Sequence, residues 1–326
     1  MKRRDFVKNT TLTALGATLA PLAVLAAPHE ITHLESEDIS MLPKVKDDYS
    51  LHFMAIGDWG RNGEYDQVEV AKQMGQWGLE HPNDFVISAG DNFYPKGVVS
   101  ETDPLWHYSF ENIYTAHSLQ CDWYPVLGNH DYLSDPDAQI RYSKISRRWN
   151  MPARYYTKEM ELKKGQGKVL FVMIDTDPML FEEKDKKDYV AKQLVWINDT
   201  LKNASSDVKW KIVVGHHPYY TVGPRITNYD TITVRKVMAD ILEAHKVDVY
   251  LSGHDHSLQH LKPKGVTHQL ISGAGSELTE VTHGIDYSKF EASEHGFMYF
   301  SIDDKRLNVK AINISGKVLY ETQLAK

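Results

Sequence analysis

The sequence predicts an α/β fold, and three features indicate it. Six apolar runs of strand length are spread along the chain, and most are apolar throughout, as expected of strands covered on both faces. Helical patterns lie between several of these runs. Polar clusters follow most of the runs, and active groups in α/β folds lie just beyond the carboxyl ends of strands.

The strands and helices can be taken in chain order. The predicted strands are LHFMAIG (51–57), DFVISAG (84–90), VLFVMID (169–175), WKIVVGH (210–216), VDVYLSGH (247–254) and FMYFSID (297–303). Two helices are predicted, each from one apolar stripe at helical spacing. The stripes consist of Val190, Leu194, Ile197 and Leu201, and of Val234, Val237, Met238, Ile241 and Leu242.

Residues 1–27 have the features of an export signal. A basic start, KRRDFVK, precedes a mildly apolar run that ends in VLAAP, and small residues around Ala26 suit signal peptidase. The paired arginines resemble a twin-arginine signal, which exports proteins that have already folded. Gly16 and Pro21 leave the run too weakly apolar for a stable membrane span. An uncleaved membrane anchor is the alternative.

Residues 28–49 are charged and aperiodic, so we expect a linker or an extended lead-in before a folded domain over 50–326. With 42% hydrophobic and 25% charged residues, the chain has the balance of a soluble globular protein. Its net charge of −7 argues against nucleic acid as a partner. A single cysteine, Cys121, excludes an internal disulfide, so stability must come from the core or from bound metal.

Five polar clusters each follow an apolar stretch. They are GDWG at 57, GDNFY at 90, GNHD at 128, GHHP at 215 and GHDH at 253. Each cluster alone is typical of a simple turn, in which Asp accepts backbone hydrogen bonds and Gly takes an unusual dihedral angle. Together they bring carboxylates, a phenol, an amide and several imidazoles to one edge of the predicted sheet. This number of hard and borderline ligands indicates two adjacent divalent or trivalent metal ions.

Two residues in the second cluster have particular roles in this interpretation. Two cations about 4 Å apart repel each other, so an anionic ligand is expected between them, and Asp91 is the natural bridge. A Tyr94 phenolate is a hard anion that would favour a trivalent ion, with iron the first choice. A stacked aromatic ring without a metal is the alternative for Tyr94.

The order of the five clusters, together with AQIRYSKISRRWNMPARYY (138–156) and SGAGSE (272–277), resembles the purple acid phosphatases of the calcineurin-like metallophosphoesterases. The small, tartrate-resistant mammalian type is the most similar, from about Leu51 to the C-terminus. This resemblance implies a metallophosphoesterase domain over 50–326. It also implies a four-layer α/β/β/α sandwich in which two mixed β-sheets are flanked by helices.

The resemblance also implies a complete ligand set. A ferric ion, Fe3+, would be held by Asp58, Asp91, Tyr94 and His256. A divalent ion, Fe2+, Zn2+ or Mn2+, would be held by Asp91, Asn129, His216 and His254. His130 matches the family's histidine that binds phosphate or protonates the leaving group, and holding Asn129 and Asp131 in place is its alternative role.

The sequence departs from the mammalian type in three places. The loop YYTVGPRITN (219–228) has no histidine where mammalian members carry an active-site one. His217 is the candidate to replace it in substrate binding beside Asn129 and His130, and a surface histidine is the alternative. The segment 177–188 is shorter than the mammalian inhibitory loop, and the family disulfide is absent because Cys121 is alone.

The function implied is hydrolysis of phosphate monoesters, with a hydroxide held by the ferric ion attacking in line and an acidic optimum. A phosphodiesterase or nucleotidase on the same scaffold is one alternative, which Tyr94 disfavours. A non-catalytic exported metal-binding protein is another, which His130 and the full ligand set disfavour. We expect small phosphorylated substrates or phosphoproteins as partners and a periplasmic or secreted monomer. The natural substrate stays open.

Overall fold

The described part of the chain contains thirteen β-strands in two mixed sheets and four α-helices. The structure is a computed structural model that describes residues 48–163 and 165–326. The strands are β1 (Leu51–Ile56), β2 (Phe85–Ser88), β3 (Asp122–Pro125), β4 (Tyr156–Glu161), β5 (Lys168–Met173), β6 (Val208–Val214), β7 (Val249–Ser252), β8 (Leu258–Leu261), β9 (His268–Ser272), β10 (Ser288–Ala292), β11 (Gly296–Ile302), β12 (Arg306–Asn313) and β13 (Val318–Ala325). The helices are α1 (Gln67–Glu80), α2 (Asp137–Tyr142), α3 (Lys184–Lys202) and α4 (Tyr229–Ala244).

The first sheet has the strand order β13-β12-β11-β1-β2-β3. Strands β1, β2 and β3 are parallel neighbours, with Met54 opposite Val86 and Val86 opposite Trp123. Strand β11 runs antiparallel to β1, and β12 and β13 continue the sheet as antiparallel neighbours. The carboxyl ends of β1, β2 and β3 therefore lie at the same end of this sheet.

The second sheet has the strand order β10-β8-β9-β7-β6-β5-β4. Its central strands β5, β6, β7 and β9 are parallel to one another. Strand β4 pairs antiparallel with β5, and β8 pairs antiparallel with both β9 and β10. The carboxyl ends of β6 and β7 consequently lie side by side.

Aromatic side chains fill the space between the two sheets. The ring of Phe53 stacks on those of Phe85 and Phe300, at centroid distances of 4.9 and 4.4 Å. Phe171 from the second sheet meets Phe53 edge-on at 5.4 Å, an arrangement that aromatic pairs prefer. Strands β1 and β2 are buried along their whole length, which explains why their sequences are continuously apolar.

Helices cover the outer faces of the sheets. Helix α1 contributes Val70 and Met74 to the cluster that contains the first sheet. Helices α3 and α4 contribute Ile197 and Met238 to a separate cluster that includes Val213 of β6. The predicted four-layer α/β/β/α sandwich with two mixed sheets is therefore confirmed.

The six predicted strand runs correspond to β1, β2, β5, β6, β7 and β11, and the two predicted apolar stripes lie in α3 and α4. The remaining strands, together with α1 and α2, were not predicted. The predicted export signal over 1–27 and nearly all of the lead-in over 28–49 lie outside the described residues, so both stay predictions. Among the helices of the described part, none combines the length and the apolar character that crossing a membrane requires.

A buried aromatic cluster lies directly beneath two of the polar loops. Trp59 follows Asp58 in the chain, and its indole N–H donates to Ser88 Oγ at 2.7 Å. Its ring lies 5.6 Å from that of Phe93 and 6.1 Å from that of Trp123. The GDWG and GDNFY loops are thus held on one aromatic base, since Trp59 belongs to the first loop and Phe93 to the second.

Truncating this base should destabilise the whole domain. Trp123 is fully buried, and we expect Trp123→Ala to lower the free energy of unfolding by about 3–5 kcal/mol. Chemical denaturation measures the change, with Trp196→Ala on α3 as the control because Trp196 is only partly buried. Equal losses for the two variants would contradict the structural role given to the cluster.

Candidate metal centre

The seven predicted ligand residues lie together beyond the carboxyl ends of five strands. They follow these strands in the order Asp58 after β1, Asp91 and Tyr94 after β2, Asn129 after β3, His216 after β6, and His254 and His256 after β7. The first three strands belong to one sheet and the last two to the other. The site is therefore built where the ends of the two sheets meet.

Three of these residues have left-handed backbone conformations. The φ angles are 60° at Asp58, 50° at Asp91 and 70° at His254, and each residue directly follows a glycine. Left-handed conformations of side-chain-bearing residues each cost of order 1–3 kcal/mol and persist only where the surroundings enforce them. The turn at Asp58 brings its carboxylate to the second sheet, where the His254 backbone N–H donates to Oδ2 at 2.9 Å.

Glycine at position 128 permits a close approach between two of the loops. A Cβ added there would collide with the backbone nitrogen and the carboxylate of Asp91. No flexible side chain could give way, because the contacted atoms belong to the backbone and to the candidate ligand itself. The GNHD loop can therefore approach Asp91 only if this residue is glycine.

Three potential ligand atoms surround the hydroxyl of Tyr94. This oxygen lies 3.0 Å from Asp91 Oδ2, 3.3 Å from Asp58 Oδ1 and 3.2 Å from His256 Nε2. Nε2 of His256 is in turn 3.5 Å from Asp58 Oδ1. A phenol has a single proton to donate, so it cannot satisfy all of these neighbours.

A second convergence surrounds the two imidazoles of His216 and His254. The Ala89 carbonyl accepts a hydrogen bond from His216 Nδ1 at 2.9 Å, and Asp230 accepts one from His254 Nε2 at 2.7 Å. A neutral imidazole has one N–H, so the other nitrogen of each ring carries a lone pair. These two nitrogens, His216 Nε2 and His254 Nδ1, lie 3.2 Å apart.

Two oxygens complete this second group. Asn129 Oδ1 lies 3.2 Å and Asp91 Oδ2 lies 3.4 Å from His216 Nε2. When both rings are neutral, the atoms that face one another are mainly lone-pair donors, which repel in the absence of a shared cation. Hydrogen bonds to the outer nitrogens of histidines that bind metals fix the rings in the same way.

The donor set fits metal ions. In two groups, His216 with His217 and His254, and Asp58 with Asp91 and His216, one ligand atom from each residue lies within 4.8 Å of the others. All five of these residues are buried. Carboxylates, imidazoles and a phenol are ligands that suit iron, zinc and manganese.

The charged groups within the site also favour a bound cation. Burial and the Asp91 and Asp58 carboxylates raise the pKa of Tyr94 well above its ordinary value, so ionising this phenol requires a nearby cation. Burial opposes protonation of His216, but the Asp91 carboxylate outweighs it and raises the pKa of His216 to about 9. Burial of Asp91 is likewise outweighed by His216, which lowers the pKa of Asp91. A bound metal ion would take the place of the His216 proton.

His130 lies at the rim of this cluster. Its backbone N–H donates to Asp91 Oδ1 at 2.8 Å, and its Nδ1 contacts the Pro95 carbonyl at 2.6 Å. The ring centroid is 4.4 Å from that of Tyr94. Within the described residues the ring bonds to Pro95 rather than to Asn129 or Asp131, and its Nε2 is left for another partner.

His217 is not a surface histidine, because its side chain is 1% exposed. Nδ1 lies 2.8 Å from Thr176 Oγ1, and Nε2 has no hydrogen-bond partner in the described part of the chain. Its ring centroid is 4.3 Å from that of His254. Burial, His254 and His216 all lower its pKa, so the ring is neutral. Its predicted role in substrate binding stays a prediction.

Asp131 joins the two loops that carry Asp91 and Asn129. Its carboxylate accepts hydrogen bonds from the backbone N–H groups of Asn92, Phe93 and Gly128, at 3.1, 3.2 and 2.9 Å. Three such bonds to one fully buried side chain fix the relative positions of the loops.

Sequence reasoning missed two residues that contact the predicted ligands. The guanidinium of Arg61 lies 3.7 Å from the ring centroid of Tyr94 and pairs with Glu277 at 2.5 Å. Asp230, which contacts His254, comes just after the loop 219–228, which lacks the histidine of the mammalian type. An acid at the start of the α4 pattern was the available signal for Asp230, whereas nothing in the sequence indicated that Arg61 would stack on Tyr94.

Known proteins are similar to this chain over most of its length. The family model for calcineurin-like phosphoesterases matches residues 51–258. Purple acid phosphatase 17 of Arabidopsis thaliana is 37% identical over 303 residues, covering 86% of each chain. Tartrate-resistant acid phosphatase type 5 of Sus scrofa is 33% identical over 303 residues, covering 85% of this chain and 87% of that protein.

Solved structures agree at the level of the fold. GAP50, the anchor in the inner membrane complex of Plasmodium, superposes with a TM-score of 0.77 at 24% identity, covering 85% of this chain and 89% of its own. A dimetal phosphatase from Danio rerio superposes with a TM-score of 0.59 at 13% identity, covering 85% and 99%. Taken with the sequence relatives and the family model, this means that the chain belongs to the calcineurin-like phosphoesterases and, within them, to the purple acid phosphatases, a family of hydrolases.

Proposed function

We propose that the chain is an exported acid phosphatase that hydrolyses phosphate monoesters at a centre of one ferric and one divalent ion. The observation that carries this proposal is the convergence of lone-pair donors around Tyr94 and around His216. Both groups include Asp91 Oδ2, so one carboxylate would serve two ions. Sharing a carboxylate in this way is a recurrent feature of two-metal hydrolytic sites.

The ligand assignment follows from the two groups. Asp58, Asp91, Tyr94 and His256 would hold Fe3+, because the phenolate and two carboxylates supply the negative charge that a trivalent ion favours. Asp91, Asn129, His216 and His254 would hold the divalent ion, Fe2+, Zn2+ or Mn2+. When bound, the two ions would neutralise phosphate charge and make a water molecule nucleophilic at acidic pH.

The side chains around this centre have separate tasks. Asp91 is held by the His130 backbone N–H, so the carboxylate that joins the two groups keeps one orientation. The His130 ring is anchored through Nδ1 at Pro95, which leaves Nε2 to face the substrate. In its protonated form Nε2 would donate a proton to the leaving alkoxide oxygen, a step worth roughly 10²–10⁴ in rate. Asn129 would bind substrate phosphate beside it.

Export to the periplasm or outside the cell is part of the proposal and rests on the N-terminal sequence. The paired arginines and the small residues before Pro28 support a twin-arginine signal. Export in the folded state suits a protein whose metal site requires both sheets to be assembled first. A single cysteine also means that folding needs no internal disulfide.

Substrate preference tests the reaction class. We expect the purified protein to hydrolyse an aryl phosphate monoester in preference to a bis-aryl phosphate diester, with an acidic optimum and resistance to tartrate. Preference for the diester would favour the alternative of a phosphodiesterase on the same scaffold. Absence of both activities in a protein with two bound metals would favour a non-catalytic metal-binding protein.

Replacing Tyr94 should remove the colour of the protein. A phenolate bound to ferric iron absorbs visible light, so we expect wild-type protein to be purple or pink and Tyr94→Phe to be nearly colourless. Absorption spectra with metal analysis measure this change. Tyr65→Phe is the matched control, because Tyr65 is 52% exposed yet also lies near Arg61. A colourless wild-type protein containing only zinc would contradict the ferric assignment.

Replacing Asp91 should empty both metal positions. Asp91→Asn keeps the size of the side chain but removes the negative charge that both groups share, so we expect loss of both ions and of all phosphatase activity. Metal content per chain after extensive dialysis is the measurement, with the exposed Asp199→Asn on α3 as the control. Retention of two ions by Asp91→Asn would rule out the bridging role.

Replacing His130 should affect turnover alone. We expect His130→Ala to retain both metals and the visible absorption, while kcat falls about 10²–10⁴-fold because the leaving group loses its proton donor. The exposed His117→Ala is the control and should match the wild type. An unchanged kcat would instead assign His130 to holding Asp91 through its backbone.

A further inference from the structure

The loop after GHHP contacts the GHDH motif through three polar side chains. Thr221 and Arg225 both hydrogen-bond to Asp255, with Arg225 Nη1 at 2.8 Å from Asp255 Oδ1. Asp230, at the start of α4, binds His254 Nε2 at 2.7 Å. This loop therefore turns toward the predicted metal ligands at the position where mammalian relatives are expected to carry a histidine.

The Asp230 contact determines which nitrogen of His254 faces the site. Because Asp230 accepts the hydrogen of Nε2, the Nδ1 atom carries the lone pair and points at His216 Nε2, 3.2 Å away. The opposite tautomer would break the bond to Asp230. The His254 ring is 7% exposed, so water cannot readily replace this carboxylate as a partner.

Arg225 holds Asp230 in turn. Its Nε lies 3.8 Å from Asp230 Oδ2 while its Nη1 bonds to Asp255, so one guanidinium connects the two acids. Asp230 also occupies the first turn of α4, where the helix dipole stabilises a negative charge. The guanidinium thus fixes the Asp230 carboxylate beside the imidazole.

We propose that Asp230 is a positioning residue that orients His254 and thereby retains the second, divalent ion selectively. This inference rests on the proposed two-metal function. Asp230 contacts none of Asp58, Tyr94 and His256 among the interactions in the described residues, so its loss should spare the ferric group. Partners of this kind typically contribute 10–100-fold to metal affinity.

The test compares metal-loaded wild-type protein with Asp230→Ala and with Asp240→Ala, an exposed acid on the same helix. Affinity for Zn2+ at the second position is measured by competition with a fluorescent zinc chelator, and visible absorbance per chain reports the ferric group. We expect Asp230→Ala to bind Zn2+ about 10–100-fold more weakly with unchanged colour. Asp240→Ala should resemble the wild type.

A conservative variant distinguishes an effect on the orientation of the His254 ring from an effect on folding. Asp230→Asn can still accept the hydrogen bond through its amide oxygen, so it should retain more Zn2+ than Asp230→Ala, and it can be compared directly with wild type if Asp230→Ala does not fold. Wild-type affinity in Asp230→Ala, or joint loss of Zn2+ and colour, would overturn the inference alone. A wild-type protein that bound no second ion would overturn the proposed function as well.

Discussion

One carboxylate, that of Asp91, is the group on which the rest of the site depends. Its Oδ1 is held by the His130 backbone, and its Oδ2 faces the Tyr94 hydroxyl on one side and His216 on the other. Tyr94 and His130 follow strands of the first sheet, whereas His216 follows a strand of the second. Burying this charge is tolerable only because oppositely charged or hydrogen-bonding groups surround it. The predicted metal site can therefore form only when the two sheets have packed against each other.

The central strands could be predicted because their burial is visible in their own sequences as apolar runs. Strands β1, β2, β5, β7 and β11 and the second half of β6 are buried on both faces, so their sequences are largely continuous apolar runs. The outer strand β13 alternates between exposed and partly buried positions, and β4 carries Lys158 and two glutamates. Such strands gain their structure from a neighbour already in place, which periodicity in one chain does not reveal. Helix α1 was not predicted either, because two glycines interrupt its apolar stripe.

The predicted ligands came together because each one stands at the end of a strand, a position that the sequence marks with a glycine and a polar residue. Contacts that side chains in or beside these motifs make with other loops could not be foreseen. Arg61 reaches Tyr94 across 33 positions of sequence through a turn that no pattern predicts. His217 was interpreted partly as a surface residue because a His-Pro corner is usually exposed, yet Thr176 and His254 enclose it. Burial of a polar side chain depends on the tertiary fold, and only apolar burial leaves a signature in composition.

The glycine at position 128 has a consequence for how such a chain can change over time. Every other amino acid carries a Cβ, and even the methyl group of alanine would occupy the space of the Asp91 backbone and carboxylate. Even the replacement of Gly128 by alanine, the smallest possible change, would displace Asp91. The segment 219–228 has no comparable restriction at its exposed positions Pro224, Thr227 and Asn228. Substitutions are therefore tolerated more readily at these exposed positions than at Gly128.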